Sequence, residues 1–227
     1  MLRRAFLGCA AAGLRAQGPP PSAKIVSSVV LRWLPGRLDE KLAVVARAGV
    51  QSVELSDELT PLAPARRLLR SYNLAVNAIS STSAELARQL DLARELDAPT
   101  VFLETGRTDD CRRAGDLAGR AGVTLLVDGL QLVKDVAHPQ VRLRYDVFQE
   151  HEKTPLEDAA PYIKLLHVAD SPDRREPGTG SLPFDSIYKT LLKAGFEGHV
   201  AMAYRPTGDP AASLIRAIDA LRKSLAP

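Results

Sequence analysis

The 227 residues are 45% hydrophobic and 25% charged, the balance of a globular chain long enough to bury one sizeable core. The formal net charge of +3 comes from arginines scattered along the chain, and only 5% of residues are aromatic, which argues against nucleic acid as a partner. With two cysteines, Cys9 and Cys111, there is no disulfide framework to read.

Residues 1–22 stand apart from the rest. MLRRAFLGCAAAGLRAQG places Arg3 and Arg4 ahead of a short apolar run and then falls into PPPS, the pattern of an export leader and linker. The run from Ala5 to Leu14 is about half the length needed to span a bilayer, and RRAFL resembles the twin-arginine signal. Cleavage near Ala16 is expected to release a periplasmic protein beginning at Gln17, with no membrane segment in the mature form. The competing reading is a frayed basic tail. Loss of Cys9 with the leader would leave Cys111 alone, so no internal disulfide would form.

From Lys24 onward, short β-rich runs alternate with amphipathic segments. KIVSSVVLRWL precedes the helical LDEKLAVVARAG, QSVELS precedes PLAPARRLLRSY, LAVNAIS precedes SAELARQLDLARELDA, and PTVFLETG precedes DDCRRAGDLAGRAG. VTLLVDG is followed by a weaker helical piece around LQLVKDV, VRLRYDVF by TPLEDAAPY, IKLLHVAD by PFDSIYKTLLKAG, and HVAMAYRP by DPAASLIRAIDALRKSL. Gly49, Gly122 and Gly195 are placed to cap helix C-termini. VTLLV and IKLLHV are almost continuously apolar, as strands of a parallel sheet buried on both faces should be. The first strand lacks the glycine-rich turn usual in an open doubly wound sheet. About eight β-then-α units predict an α/β fold, a compact (β/α)8 TIM barrel with short loops, over residues 23–227 as one domain.

In such a barrel the active site lies at the C-terminal strand ends. The residues there are Trp33, Glu54, Asn77, Glu104, Asp128, Asp146, His167 with Asp170, and Tyr204 with Arg205. The five carboxylates on this rim repel one another, and a divalent metal, which His167 could also ligate, is the simplest counter-charge. The plainer reading of any one of them is a helix cap, a solvated strand end or, for His167, a hydrogen-bonded core histidine.

The last third of the chain carries a more specific signal. Ala169-Asp170, Pro172, Arg174, Glu176-Pro177-Gly178-Thr179-Gly180, the turn Ala194-Gly195-Phe196-Glu197-Gly198 and Tyr204-Arg205-Pro206 resemble the end of hydroxypyruvate isomerase-like proteins, within the xylose isomerase-like TIM-barrel sugar isomerases and epimerases. AGVQSVEL and ARELDAPTVFL resemble the second and fourth strand regions more loosely. The resemblance implies a divalent metal (Mn, Mg or Zn) held by glutamate on strand 5, aspartate on strand 6, His or Gln on strand 7 and glutamate on strand 8. The two glutamates then move a proton between adjacent carbons of a short hydroxy-aldehyde or ketose. Carried over, the metal ligands are Asp128, Asp146 and His167, with Asp128 also catalytic, although the family has glutamate there. The strand 8 glutamate is replaced by Ala203, and an aromatic-His pair after the strand 6 aspartate by Phe148-Gln149. The site is therefore degenerate, and a metal is expected to bind weakly or not at all.

Three readings follow. The first is an isomerase or epimerase with a rearranged site, Glu104 reaching in from strand 4. The second is an inactive barrel that binds a small sugar-like or carboxylate ligand through Arg174, Glu176 and Arg205. The third is a metal-dependent nuclease of the endonuclease IV type, disfavoured because only His167 among the four histidines ends a strand. The loop from Asp170 to Gly180 is expected to close over a small polar ligand, stiffened by Pro172 and Pro177 and turned by Gly178 and Gly180.

Overall fold

The computed structural model describes residues 25–56, 61–82 and 84–225. The leader read at residues 1–22 lies outside the described residues. Eight parallel strands close into a barrel in sequence order: β1 (Ile25–Val30), β2 (Ser52–Leu55), β3 (Ala75–Thr82), β4 (Thr100–Glu104), β5 (Thr124–Val127), β6 (Val141–Asp146), β7 (Ile163–Val168) and β8 (Gly198–Met202). Pairing of β1 with β8, Ile25 opposite Gly198 through Val29 opposite Met202, completes the ring. The helices are α1 (Leu38–Arg47), α2 (Leu62–Ser71), α3 (Leu86–Glu95), α4 (Thr108–Ala121), α5 (Leu130–Val136), α6 (Val147–Glu150), α7 (Leu156–Ala159), α8 (Phe184–Lys193) and α9 (Pro210–Leu225). The expected TIM barrel is the fold.

Local sequence accounts for these elements. In α8, Phe184, Ile187, Tyr188 and Leu191 fall three or four residues apart and are the buried face, with Asp185 in the first turn and Lys193 in the last, each favourable to the helix dipole. Gly122 closes α4 at φ +71°, a left-handed conformation open to glycine without strain. Gly49 and Gly195, both at positive φ, follow α1 and α8 in the same way.

The strands divide the apolar residues between two cores. On β6, Val141, Leu143 and Tyr145 belong to the large core between sheet and helices. The alternate set, Arg142, Arg144 and Asp146, projects to the other face, as the two-residue period of a strand requires. A second, smaller cluster of Val30, Ala78, Phe102, Leu126, Leu165, Ala201 and Ala203 fills the barrel interior, with Trp33 packed against it.

Ala203 therefore has neighbours of its own. It is fully buried, belongs to the interior cluster, and its amide donates to the Val168 carbonyl across from β7. The position read from sequence as an empty corner of a metal site is packed core. Ala203→Glu is expected to bury an unpartnered charge and lower unfolding free energy by about 3–5 kcal/mol, read as a fall in the urea midpoint; an unchanged midpoint would show room for a fourth carboxylate.

Candidate active site

The site starts with the buried pair His167 and Glu54. His167 is the fifth residue of β7 and Glu54 the third of β2, and His167 Nε2 lies 2.7 Å from Glu54 Oε2. The Glu54 side chain is 2% exposed. Burial alone would raise the Glu54 pKa, but the contact with His167, the nearby Arg144 charge and a hydrogen bond from Ser80 Oγ (3.2 Å) outweigh it, holding the carboxyl below the usual carboxylate range. Glu54 is thus an anion at neutral pH, and the hydrogen in the contact belongs to His167 Nε2, which donates.

Each aspartate on the rim meets an arginine. Arg144 Nε and Nη2 donate to the two oxygens of Asp128 at 2.9 and 2.6 Å, while its guanidinium lies 3.3 Å from the centroid of the Phe102 ring. Arg174 donates through Nη1 and Nη2 to the two oxygens of Asp146. Its guanidinium is also 4.9 Å from the ring centroids of both Trp33 and Phe148. These are two-pronged charge-assisted contacts, stacked on aromatic faces. Glu54, Arg144, Asp146, His167, Arg174 and Arg32 line a polar cavity of about 110 Å³ at the barrel mouth. A larger cleft of about 500 Å³ adjoins it through Arg32 and runs past Ser80, Ser81, Gln89 and Glu104.

The loop after β7 delivers Arg174. Asp170, fully buried, accepts backbone N–H groups at both oxygens: Ser171 (2.9 Å) and Leu182 (3.0 Å) at Oδ1, Gly178 and Gly180 (both 2.8 Å) at Oδ2. Gly180 has no alternative, because a Cβ there would stand 2.0 Å from the Ser171 carbonyl oxygen. Wound around Asp170, the loop sets Arg174 at φ +54°, and the Arg174 carbonyl accepts from the Arg205 amide at 3.0 Å.

Asp128 follows β5, Asp146 ends β6 and His167 is next to last in β7, all toward one rim, but they are not gathered as a group of metal ligands. Asp128 is spent on Arg144, Asp146 on Arg174 and His167 on Glu54. Among the described residues no group of three or more His, Cys, Asp or Glu is arranged to hold a metal ion. Beside Asp128 and Asp146 the positive group in this structure is a guanidinium in each case.

Of the expected substrate-binding residues, Arg174 lines the cavity, and Arg205 stacks 5.3 Å from the Trp33 centroid at its edge. Glu104 is exposed in the adjoining cleft. Glu176 is a fastener instead: its Oε1 accepts from the Thr207 amide, the Thr207 hydroxyl and Ser213 Oγ, each at 2.7 Å, tying the loop to the start of α9. Burial would raise its pKa, and those hydrogen bonds hold it lowered. The remaining histidines stay out of the site. His138 contacts Asp116 of α4 at 3.3 Å, His151 follows α6, and His199 on β8 is pushed down to about 4 by burial and by Lys164.

Sequence reading missed Arg144 and Ser80 and left Glu54 without a role. The signal for Arg144 is the alternation VRLRYD, whose second set of positions ends on Asp146.

The comparisons agree with this architecture. Residues 42–224 match the family described as Xylose isomerase-like TIM barrel. Over 82 residues, 34% of this chain and 32% of the relative, it is 33% identical to hydroxypyruvate isomerase of Escherichia coli K12. Matches to curated relatives span about a third of their length or less. Among solved structures, an L-ribulose 3-epimerase superposes with TM-score 0.75 at 18% identity, covering 87% of this chain and 93% of that one. A family 2 AP endonuclease from Brucella melitensis superposes with TM-score 0.72 at 21% identity, covering 86% and 98%. At these identities the structural likeness speaks to fold.

Because the folded-state pKa of Glu54 is lowered, its contribution to stability is complete above the ordinary carboxylate value of 4.5 and is lost as pH falls through the folded value. Glu54→Gln removes that contribution. It is expected to be less stable than the parent at pH 7, with the gap narrowing below pH 4.5, read as urea midpoints across an acid series; a gap constant with pH would mean that Glu54 is not held as an anion.

Proposed function

The chain belongs to the xylose isomerase-like TIM-barrel family, and we propose that it catalyses proton transfer of the isomerase or epimerase type on a small hydroxy-carbonyl compound. The observation that carries this reading is the His167–Glu54 pair, buried at 2.7 Å on the wall of a polar cavity at the barrel mouth. Similarity to hydroxypyruvate isomerase of Escherichia coli over part of the chain supports the reaction class.

With Nε2–H donated to Glu54, His167 offers its other ring nitrogen, Nδ1, as the base. A carbon next to a carbonyl gives its proton to the imidazole, and the electron pair of the C–H bond passes to the carbonyl oxygen, forming an enediolate. The Glu54 anion stabilises the imidazolium so formed. Return of the proton to the neighbouring carbon, with the hydroxyl proton passing between the two oxygens, gives the isomer; the epimer needs a solvent proton delivered to the same carbon from the opposite face, the imidazolium giving its own proton back to solvent. Arg144 and Arg174 face the developing negative charge with fixed N–H donors, stabilisation that requires no rearrangement at the moment of reaction. In this scheme Asp128, assigned catalysis by the resemblance, is a positioning residue that aims Arg144.

One arrangement favours a second reading, a barrel that binds such a ligand without turnover. Neither acid that the resemblance implies for proton transfer is free: Asp128 is engaged by Arg144, and the strand 8 position is Ala203.

Solvent deuterium incorporation into hydroxypyruvate and a panel of short ketoses, followed by NMR, separates the two. Turnover is expected, with a loss of about 10²–10⁴ in rate for His167→Gln. Exchange indifferent to His167→Gln would remove the proposed base, and a ligand-induced melting shift without any exchange would select the binding barrel.

A further inference from the structure

The rim arginines are held too firmly to be bystanders. To reach the carboxylates of Asp128 and Asp146, a divalent ion would have to displace two guanidinium groups from two-pronged contacts, each guanidinium also stacked on a ring: Arg144 on Phe102, Arg174 beside Trp33 and Phe148. A fourth ligand from strand 8 is absent, since Ala203 is sealed in the interior. The carboxylates at the mouth each already have a partner, Asp128 in Arg144, Asp146 in Arg174 and Glu54 in His167.

We infer that this mouth works without a divalent metal, and that Arg144 and Arg174 bind the oxyanion of the ligand directly. The inference rests on the site proposed above and specifies its ligand chemistry: a planar oxyanion, such as an enediolate or a carboxylate beside a carbonyl. A guanidinium carries five N–H donors in a fixed plane. Arg144 spends two on Asp128 and Arg174 two on Asp146, so each keeps donors for a ligand in the cavity that both line. The aspartates fix the planes of the two guanidinium groups, and the aromatic rings hold them from the face, so little ordering remains to be done on binding.

The test uses the purified full chain, treated with chelator, with oxalate as a planar oxyanion probe. Expected results are substoichiometric metal by elemental analysis, no rise in melting temperature with Mn²⁺, Mg²⁺ or Zn²⁺, and calorimetric binding of oxalate in the presence of chelator. Arg174→Lys keeps the charge but loses the fork, and is expected to weaken oxalate about tenfold or more. Stoichiometric metal that survives purification, a melting rise of several degrees with any of the three ions, or oxalate binding only after metal is added would each overturn the inference. So would the absence of oxalate binding, or binding indifferent to Arg174→Lys. Should that variant fail to fold, the metal and oxalate measurements on the parent chain still decide. None of these readouts is turnover, so a barrel that failed to exchange protons would sink the proposed reaction and leave this inference standing.

Discussion

The mouth of this barrel is governed by the need to neutralise carboxylates that the fold forces together. Parallel strands with right-handed crossovers bring every C-terminal strand end to one rim, so Glu54 and Asp146 come together on the wall of the small cavity and Asp128, 40% exposed, lies beside them against Arg144. Three anions there are tolerable only beside positive charge, because burial penalises each one and mutual repulsion adds to it. The sequence supplies that charge covalently. Arg144 comes from the strand that carries Asp146, two residues earlier on the same face, and Arg174 from the loop after the next strand.

The second arginine links a loop to the site. Asp170 gathers four backbone N–H groups and converts a segment with little secondary structure of its own into a fixed support. Arg174 then reaches Asp146 from one side of that support, while Glu176 fastens the other side to Thr207 and Ser213. Trp33, contributed from the turn after β1, receives Arg174 and Arg205 on its ring, joining the loops that follow β1, β7 and β8. The string Asp170 to Gly180 thus holds the mouth in shape rather than folding freely over it, and only Arg174 of its charged residues lines the cavity.

Much of the fold was legible because its signals are local. Alternation of β-rich and amphipathic runs, glycine at helix ends and unbroken apolar strands each depend on a few neighbouring residues, and each reappears in the barrel. The site was legible only as a set of strand ends. Which partner a side chain takes depends on residues far away in sequence: Glu54 meets His167 across 113 positions, and Glu176 meets Ser213 across 37. Arg144 was passed over because strand-end reasoning looks at the last residue of each run, whereas an inward-facing residue two positions earlier still reaches the cavity when its side chain is as long as arginine.

The departures from the family pattern make physical sense together. Relative to the glutamates that the resemblance implies, the chain has lost one acid at Ala203 and shortened another at Asp128. The shorter side chain keeps its carboxylate close to its own strand end, where the neighbouring β6 presents Arg144, and the two meet as a planar pair. Removing the strand 8 acid leaves a small apolar residue, which extends the interior cluster of Val30, Phe102, Leu126 and Leu165 up to the mouth. Each change alone would leave a defect, either an unbalanced charge or an unfilled corner. Together they accompany a rim on which each aspartate is paired with a guanidinium, with His167 and Glu54 on the cavity wall.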